Sequence, residues 1–117
     1  MTTPRLSLVL PTYNEAANLE RMVRALTEKL EGARISFEIV VVDDDSPDGT
    51  GRIADQLAAG SGGRVRALHR HGERGLGTAV VAGWQAASGE VLAVMDADGQ
   101  HPPDLIPRLL AALDQGA

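Results

Sequence analysis

Carboxylates in this chain fall where apolar runs end. "EVLAVM" runs into Asp96-Ala97-Asp98, and "FEIVVV" into Asp43-Asp44-Asp45, then Ser46-Pro47-Asp48-Gly49-Thr50. Glu15 closes "PTYNE" after a first run, and Arg70, Arg74, Gly75 and Gly77 follow a third in "RHGERGLGT". Two chemistries suit these residue types. Carboxylates with no thiolate or close histidine pair among them are ligands for a hard cation, Mg2+ or Mn2+ rather than Zn2+. Arginines beside a glycine-rich turn are donors for phosphate oxygens.

Each fragment alone also has a plainer reading. Ser-Pro-Asp-Gly is an ordinary turn former, and Asp48 suits the cap of a following helix. Asp-x-Asp recurs in sequences without any metal, so Asp96-Ala97-Asp98 is at this point a turn or a metal site. Asn14-Glu15 is equally a helix start, and a lone glycine-rich pattern is weak. His69, His71 and His101 read as turn or surface residues.

The elements between these fragments decide where they meet. "RLSLVL" (5–10), "FEIVVV" (37–42), "RVRALH" (64–69) and "EVLAVM" (90–95) are short and rich in branched aliphatics, as strands are. The second is apolar almost throughout, as in a strand buried on both faces. Leu19, Met22, Val23, Leu26 and Leu30 follow helical spacing, with Asn14 as the expected N-cap. Ile53 and Leu57 share a face in "GTGRIADQLAA". "GLGTAVVAGWQAAS" reads as a helix of small residues closed by Gly89 as its C′ glycine. Leu105, Leu109 and Leu113, with Leu110 beside them, mark a last helix over 102–116, where Pro107 falls in the first turn.

Strand and helix in strict alternation predict an α/β fold with parallel strands joined by right-handed crossovers, in the order 3-2-1-4. A parallel sheet puts every strand's carboxyl end on one edge, where ligands of such folds bind. Glu15, Asp43, Asp44, Asp45, Asp48, Asp96 and Asp98 therefore gather there. So many carboxylates repel one another unless a cation joins them or some stay neutral. A cation held by one or two carboxylates completes its shell with water and phosphate oxygens. The expectation from the residues is a site for a divalent metal and a diphosphate-bearing ligand, with Arg70, Arg74, Gly75 and Gly77 on its phosphate side.

Length, composition and charge bound the rest. With 117 residues, 44% of them hydrophobic, the chain holds a single domain with a core of its own. A net charge of −5 argues against bulk attraction to nucleic acid, and the lack of cysteine excludes disulfides and thiolate metal sites. The opening residues hold no apolar run of leader or membrane-spanning length, which makes a cytoplasmic location the expectation. Ending an alternating pattern on a helix leaves the fourth strand without an outer neighbour. The chain is accordingly read as the first half of a larger domain, with that exposed edge open to pairing in a homo-oligomer.

Four motifs in consistent order then resemble glycosyltransferase family 2. They are Pro11-Thr12-Tyr13-Asn14-Glu15, Asp43-Asp44 with Ser46-Pro47-Asp48-Gly49-Thr50, Gly75-Leu76-Gly77-Thr78-Ala79, and Asp96-Ala97-Asp98 with Gln100-His101-Pro102. The second and third are similar to those of the dolichol-phosphate and polyprenol-phosphate mannosyltransferase branch. The resemblance implies a Rossmann-like GT-A fold, with residues 1–117 as the N-terminal nucleotide-sugar-binding part of the catalytic domain. It implies that Pro11, Tyr13 and Glu15 line the nucleotide pocket and that Val42 and Asp44 meet base and ribose. It implies that Asp96 and Ala97 contact the nucleotide sugar and that Asp98, with Gln100 beside it, holds the metal. Asp96 and Asp98 become the catalytic pair. Asp45 departs from the family's Gly or Asn at its position, and Arg74 from the family's Lys.

The activity implied is metal-dependent, inverting transfer of a sugar, mannose from GDP-mannose in the first instance, to a polyprenyl or dolichyl phosphate. Such a lipid acceptor implies peripheral placement at the inner face of a membrane. UDP-glucose or another sugar nucleotide is the alternative donor. A nucleotide-diphosphate-binding fragment without transferase activity is the alternative function, and the chain by itself is expected to transfer little sugar. A receiver-like domain with clustered aspartates is set aside, because the third strand ends in His69-Arg70 where a phosphate-accepting Asp belongs.

Overall fold

The longest apolar run, Phe37–Asp43, is a strand buried along its whole length. It needs apolar cover on both faces, and the segments on either side of it supply that. The computed structural model describes residues 4–71 and 75–95, Leu76 by its backbone alone. Within them the order is β1 (Leu6–Thr12), α1 (Leu19–Gly32), β2 (Phe37–Asp43), α2 (Thr50–Ala59), β3 (Val65–His69), α3 (Leu76–Ala86) and β4 (Val91–Val94). The strands make one parallel sheet in the order β3-β2-β1-β4, as expected. The helix read over 102–116 lies outside the described residues. Among the described residues no helix is long and apolar enough to cross a membrane.

Strand periodicity sorts the core into two layers. Leu6, Leu8 and Leu10 of β1, with Ile39 and Val41 of β2, face Leu19, Met22, Val23, Leu26 and Leu30 of α1 and Ala54 of α2. Val9, Val40 and Val42 face the opposite way, onto Ala79 of α3. Each large side chain so buried contributes about 1.5–3 kcal/mol. α3 lies close to the sheet because Gly83 has no side chain. A Cβ there would run into the side chain of Val9 and come within 3.2 Å of Val42 Cγ2.

Two helix boundaries differ from the sequence expectation, both for long-range reasons. α1 starts at Leu19, with Asn18 and not Asn14 in the N-cap position. Asn14 instead has a φ of 56°, and its N–H donates to Ser46 Oγ at 2.9 Å, so the loop is drawn toward β2 before the helix can begin. α3 ends at Ala86 with Ala87 extended, so Gly89 is not its C′ residue. Gly89 belongs to the approach into β4. Its N–H donates to Ser7 Oγ at 2.7 Å, and a Cβ would come within 2.7 Å of the Ser7 backbone nitrogen.

Glu38 holds that same corner. It is 5% exposed, and its Oε2 accepts from the hydroxyl of Ser7 at 2.5 Å, the N–H of Ser88 at 2.6 Å and the hydroxyl of Ser88 at 3.0 Å. Arg66 donates to Oε1 at 3.2 Å. Burial pushes the carboxyl up, but these hydrogen bonds outweigh it and hold it below its ordinary value of 4.5. Glu38→Gln is expected to cost about 2 kcal/mol. Because the folded value is depressed, the stabilisation is present above the ordinary value and lost as pH falls through the folded one. Denaturant midpoints between pH 7 and pH 3 should therefore fall less steeply in Glu38→Gln. Parallel curves for the two proteins would remove Glu38 from this role.

Candidate functional site

The carboxyl ends of β1, β2 and β3 carry three motif loops, and the structure ties these loops together. β1 and β2 run in register from Leu6↔Phe37 to Thr12↔Asp43, so "TYNE" and "DDDSPDGT" leave the sheet side by side. Successive backbone N–H groups of the first loop then find side-chain oxygens of the second. Asn14 bonds to Ser46 Oγ at 2.9 Å, Glu15 to Thr50 Oγ1 at 3.0 Å and Ala16 to Asp48 Oδ2 at 3.1 Å. Asp48 Oδ1 also accepts from the Thr50 N–H at 3.0 Å and from the Thr50 hydroxyl. That hydroxyl, with the N–H groups of Ala16 and Thr50 behind it, holds the Asp48 carboxyl below its ordinary value. Gly49 holds the N-cap position of α2, and Asp48, one residue before it, accepts the first N–H of the helix, close to the capping role that the plainer reading of "SPDGT" allowed.

The aspartates after β2 each have a protein partner. Asp43 accepts from the Ser46 hydroxyl at 2.5 Å and lies 3.9 Å from His69 Nδ1. His69 Nε2 lies 2.7 Å from Asp55 Oδ1. Asp45, with a φ of 59°, sits 3.4 Å from His71 Nδ1. Asp44 meets Arg70 in a forked pair, Nε to Oδ1 at 2.7 Å and Nη2 to Oδ2 at 3.0 Å. Asp43, Asp44 and Asp45 therefore each have, among the described residues, a hydrogen-bonding or basic side chain beside them. Among the described residues no three His, Asp or Glu side chains come together as a metal site.

The remaining candidates divide between those the structure describes and those it does not. Pro11 is half-buried and pairs in register with Val42. Val42 is fully buried, and its carbonyl accepts the Thr12 hydroxyl at 3.0 Å. Tyr13 is 37% exposed, and Glu15 is half-buried with Oε2 at 3.4 Å from the Asn18 amide. Gly75 opens α3 with a φ of 138°, where a side chain is strained, and Gly77 is open to solvent. Arg70, expected on the phosphate side, faces Asp44 and the Gly75 carbonyl, the latter at 3.4 Å. Arg74, Asp96, Ala97, Asp98 and Gln100 lie outside the described residues. Met95, the last described residue, has its N–H bonded to the Val9 carbonyl at 3.0 Å, beside β1.

Sequence reasoning did not find the Ser46, Asp48 and Thr50 clamp on the first loop, nor the Asp44–Arg70 pair. The signal for the pair was present. Opposite charges one step beyond the ends of adjacent parallel strands are brought together by the register Asp43↔His69. The cavities away from this edge include one of about 790 Å3 between α1 and α2, lined by Val23, Thr27, Gln56 and Leu57 among others. It holds none of the motif residues.

Comparison with known proteins gives a consistent likeness. The sequence pattern of Glycosyl transferase family 2 matches residues 7–117. The chain is 46% identical over 113 residues to a dolichol-phosphate mannosyltransferase of Pyrococcus furiosus, covering 97% of this chain and 31% of that protein. It is 46% identical over 118 residues to a polyprenol monophosphomannose synthase of Mycolicibacterium smegmatis, covering 98% of this chain and 43% of that protein. The chain thus spans less than half the length of either. Among solved structures, the mannosyltransferase PcManGT of Pyrobaculum calidifontis, in complex with GDP-Man and Mn2+, superposes with a TM-score of 0.78 at 28% identity, covering 94% of this chain and 32% of that one.

Proposed function

The chain belongs to glycosyl transferase family 2, and from that premise we propose that it forms the donor-binding part of a metal-dependent, inverting mannosyltransferase acting on a polyprenyl phosphate. The observation that carries the reading is the shared sheet edge. Thr12, Asp44, Arg70 and Gly75 are joined there by hydrogen bonds at the ends of three parallel strands, beside the strand that leads into Asp96. In this reading Pro11, Tyr13 and Glu15 line the nucleoside pocket, Val42 is buried beneath it, and Asp44 accepts hydrogen bonds from base or ribose. Asp96 and Ala97 contact the donor sugar, and Arg74, Gly75 and Gly77 face the phosphates.

The cation assignment falls on Asp98 and Gln100. A carboxylate and an amide oxygen, in a chain with no cysteine, fit Mg2+ or Mn2+. A cation bound there would supply charge neutralisation to the departing nucleoside diphosphate. The rest of the step is positioning. A phosphate oxygen of the lipid attacks the anomeric carbon from the face opposite the diphosphate, one C–O bond forming as the other breaks. That oxygen is already anionic at neutral pH, so no histidine is required as general base. The polyprenyl acceptor brings the site to a membrane surface.

The 46% identity to two mannosyl-transferring relatives supports GDP-mannose over UDP-glucose as donor. Titrations of both, in Mn2+, are expected to show at least about tenfold tighter binding of GDP-mannose, about 1.4 kcal/mol. Added short polyprenyl phosphate should accept label from that donor alone when the acceptor-side half of the protein is present. Equal binding of the two donors, or preference for UDP-glucose, would contradict the mannose assignment.

A further inference from the structure

Arg70 and Asp44 are nearly withdrawn from water, at 7% and 6% exposure. The guanidinium fork takes both oxygens of the carboxylate, at 2.7 and 3.0 Å. The backbone fixes both residues as well. The Arg70 N–H donates to the Asp43 carbonyl at 2.9 Å, and the Asp44 N–H to the Thr12 carbonyl at 3.2 Å. Nη2 reaches the Gly75 carbonyl. The Arg70 side chain thereby ties Asp44, whose own N–H is bonded to the end of β1, to the start of α3.

We propose that Arg70 is a positioning residue for the nucleoside end of the donor, fixing the plane of the Asp44 carboxylate, and is not a ligand of the diphosphate. The proposal rests on the donor-site reading above. A carboxylate offers about four lone-pair sites. A forked guanidinium takes one on each oxygen and makes the two groups coplanar, so the remaining sites point in set directions. Those directions select an imino, amino or hydroxyl donor of the nucleoside. The charge of Arg70 is compensated by Asp44, which leaves the pair little attraction for phosphate. Lysine supplies the charge but not the fork, so it does not set the plane.

The test compares guanosine, GDP and pyrophosphate as ligands of the chain in Mn2+. Arg70→Lys and Arg70→Gln are expected to weaken guanosine and GDP by the same factor, about tenfold or more, and to leave pyrophosphate within about twofold. In a double-mutant cycle, Asp44→Asn added to Arg70→Gln should cost little beyond either alone, since each already breaks the fork. That paired variant keeps a neutral hydrogen-bonding couple in the buried site, and Arg70→Lys keeps the charge, so folding is preserved in at least one arm. Weakened pyrophosphate with guanosine unchanged would make Arg70 a phosphate ligand. Equal losses for all three ligands, or additive losses in the cycle, would reduce it to a structural residue. An unaltered chain that binds none of the three overturns the donor-site reading itself, whereas one that binds GDP but shows either wrong pattern overturns only the positioning role.

Discussion

Asp44→Ala is expected to destabilise the chain by about 3–5 kcal/mol, which is the cost of leaving one member of a buried ion pair uncompensated. The prediction follows from geometry. Arg70 is 7% exposed and cannot turn its guanidinium into solvent without releasing the Gly75 carbonyl as well. Replacing both members by apolar residues of similar volume, Asp44→Leu with Arg70→Met, removes the stranded charge and should recover most of that loss. The double variant is then folded but lacks the carboxylate proposed to meet base or ribose, so it should not bind GDP. Unfolding in urea followed by circular dichroism measures the first part, and GDP titration the second. Asp44→Ala within about 1 kcal/mol of the unaltered chain would show that the pair is not the buried lock described here.

Asp98→Ala carries the second large effect, on ligand affinity and not on stability. In the proposed reading Asp98 holds the cation, whereas Asp43, Asp48 and Asp44 are engaged by Ser46, Thr50 and Arg70. Losing Asp98 should cost GDP affinity in Mn2+ on the order of 100-fold, about 2.8 kcal/mol, and bring it to the level measured without metal. Asp44→Ala should differ in kind. It weakens GDP while keeping the ratio between affinities with and without metal. If Asp98→Ala keeps the full metal dependence, the cation is held elsewhere.

Sequence alone carried most of the fold. Four apolar runs and their alternation with helical patterns led to the observed parallel order β3-β2-β1-β4, because strand periodicity and crossover handedness are local or generic rules. The boundaries that differ depend on contacts far along the chain. Asn14 has the chemistry of an N-cap, yet Ser46, 32 residues later, claims its N–H. Gly89 sits where a helix terminator is expected, but what demands glycine there is the backbone of Ser7.

The site was partly legible for the same reasons. The gathering of Thr12, Asp43, Asp44 and Arg70 on one edge follows from the topology of the sheet. The state of each carboxylate did not follow, because counting charges omits the donors that satisfy them. Ser46, Thr50 and the N–H of Ala16 are such donors, and none is conspicuous in a list of candidate ligands. The neighbours "HGERG" suggest a phosphate-side role for Arg70, and its bond to Asp44 follows from a register across β2 and β3 that those neighbours do not reveal.

In the proposed function this sheet edge binds a nucleoside diphosphate through a divalent cation. Calorimetric titration of GDP into the unaltered chain, once in Mn2+ and once with a chelator, tests it most directly. Binding is expected on the order of 100-fold tighter with the metal, falling to the chelator value in Asp98→Ala. Equal affinity in the two titrations would contradict it.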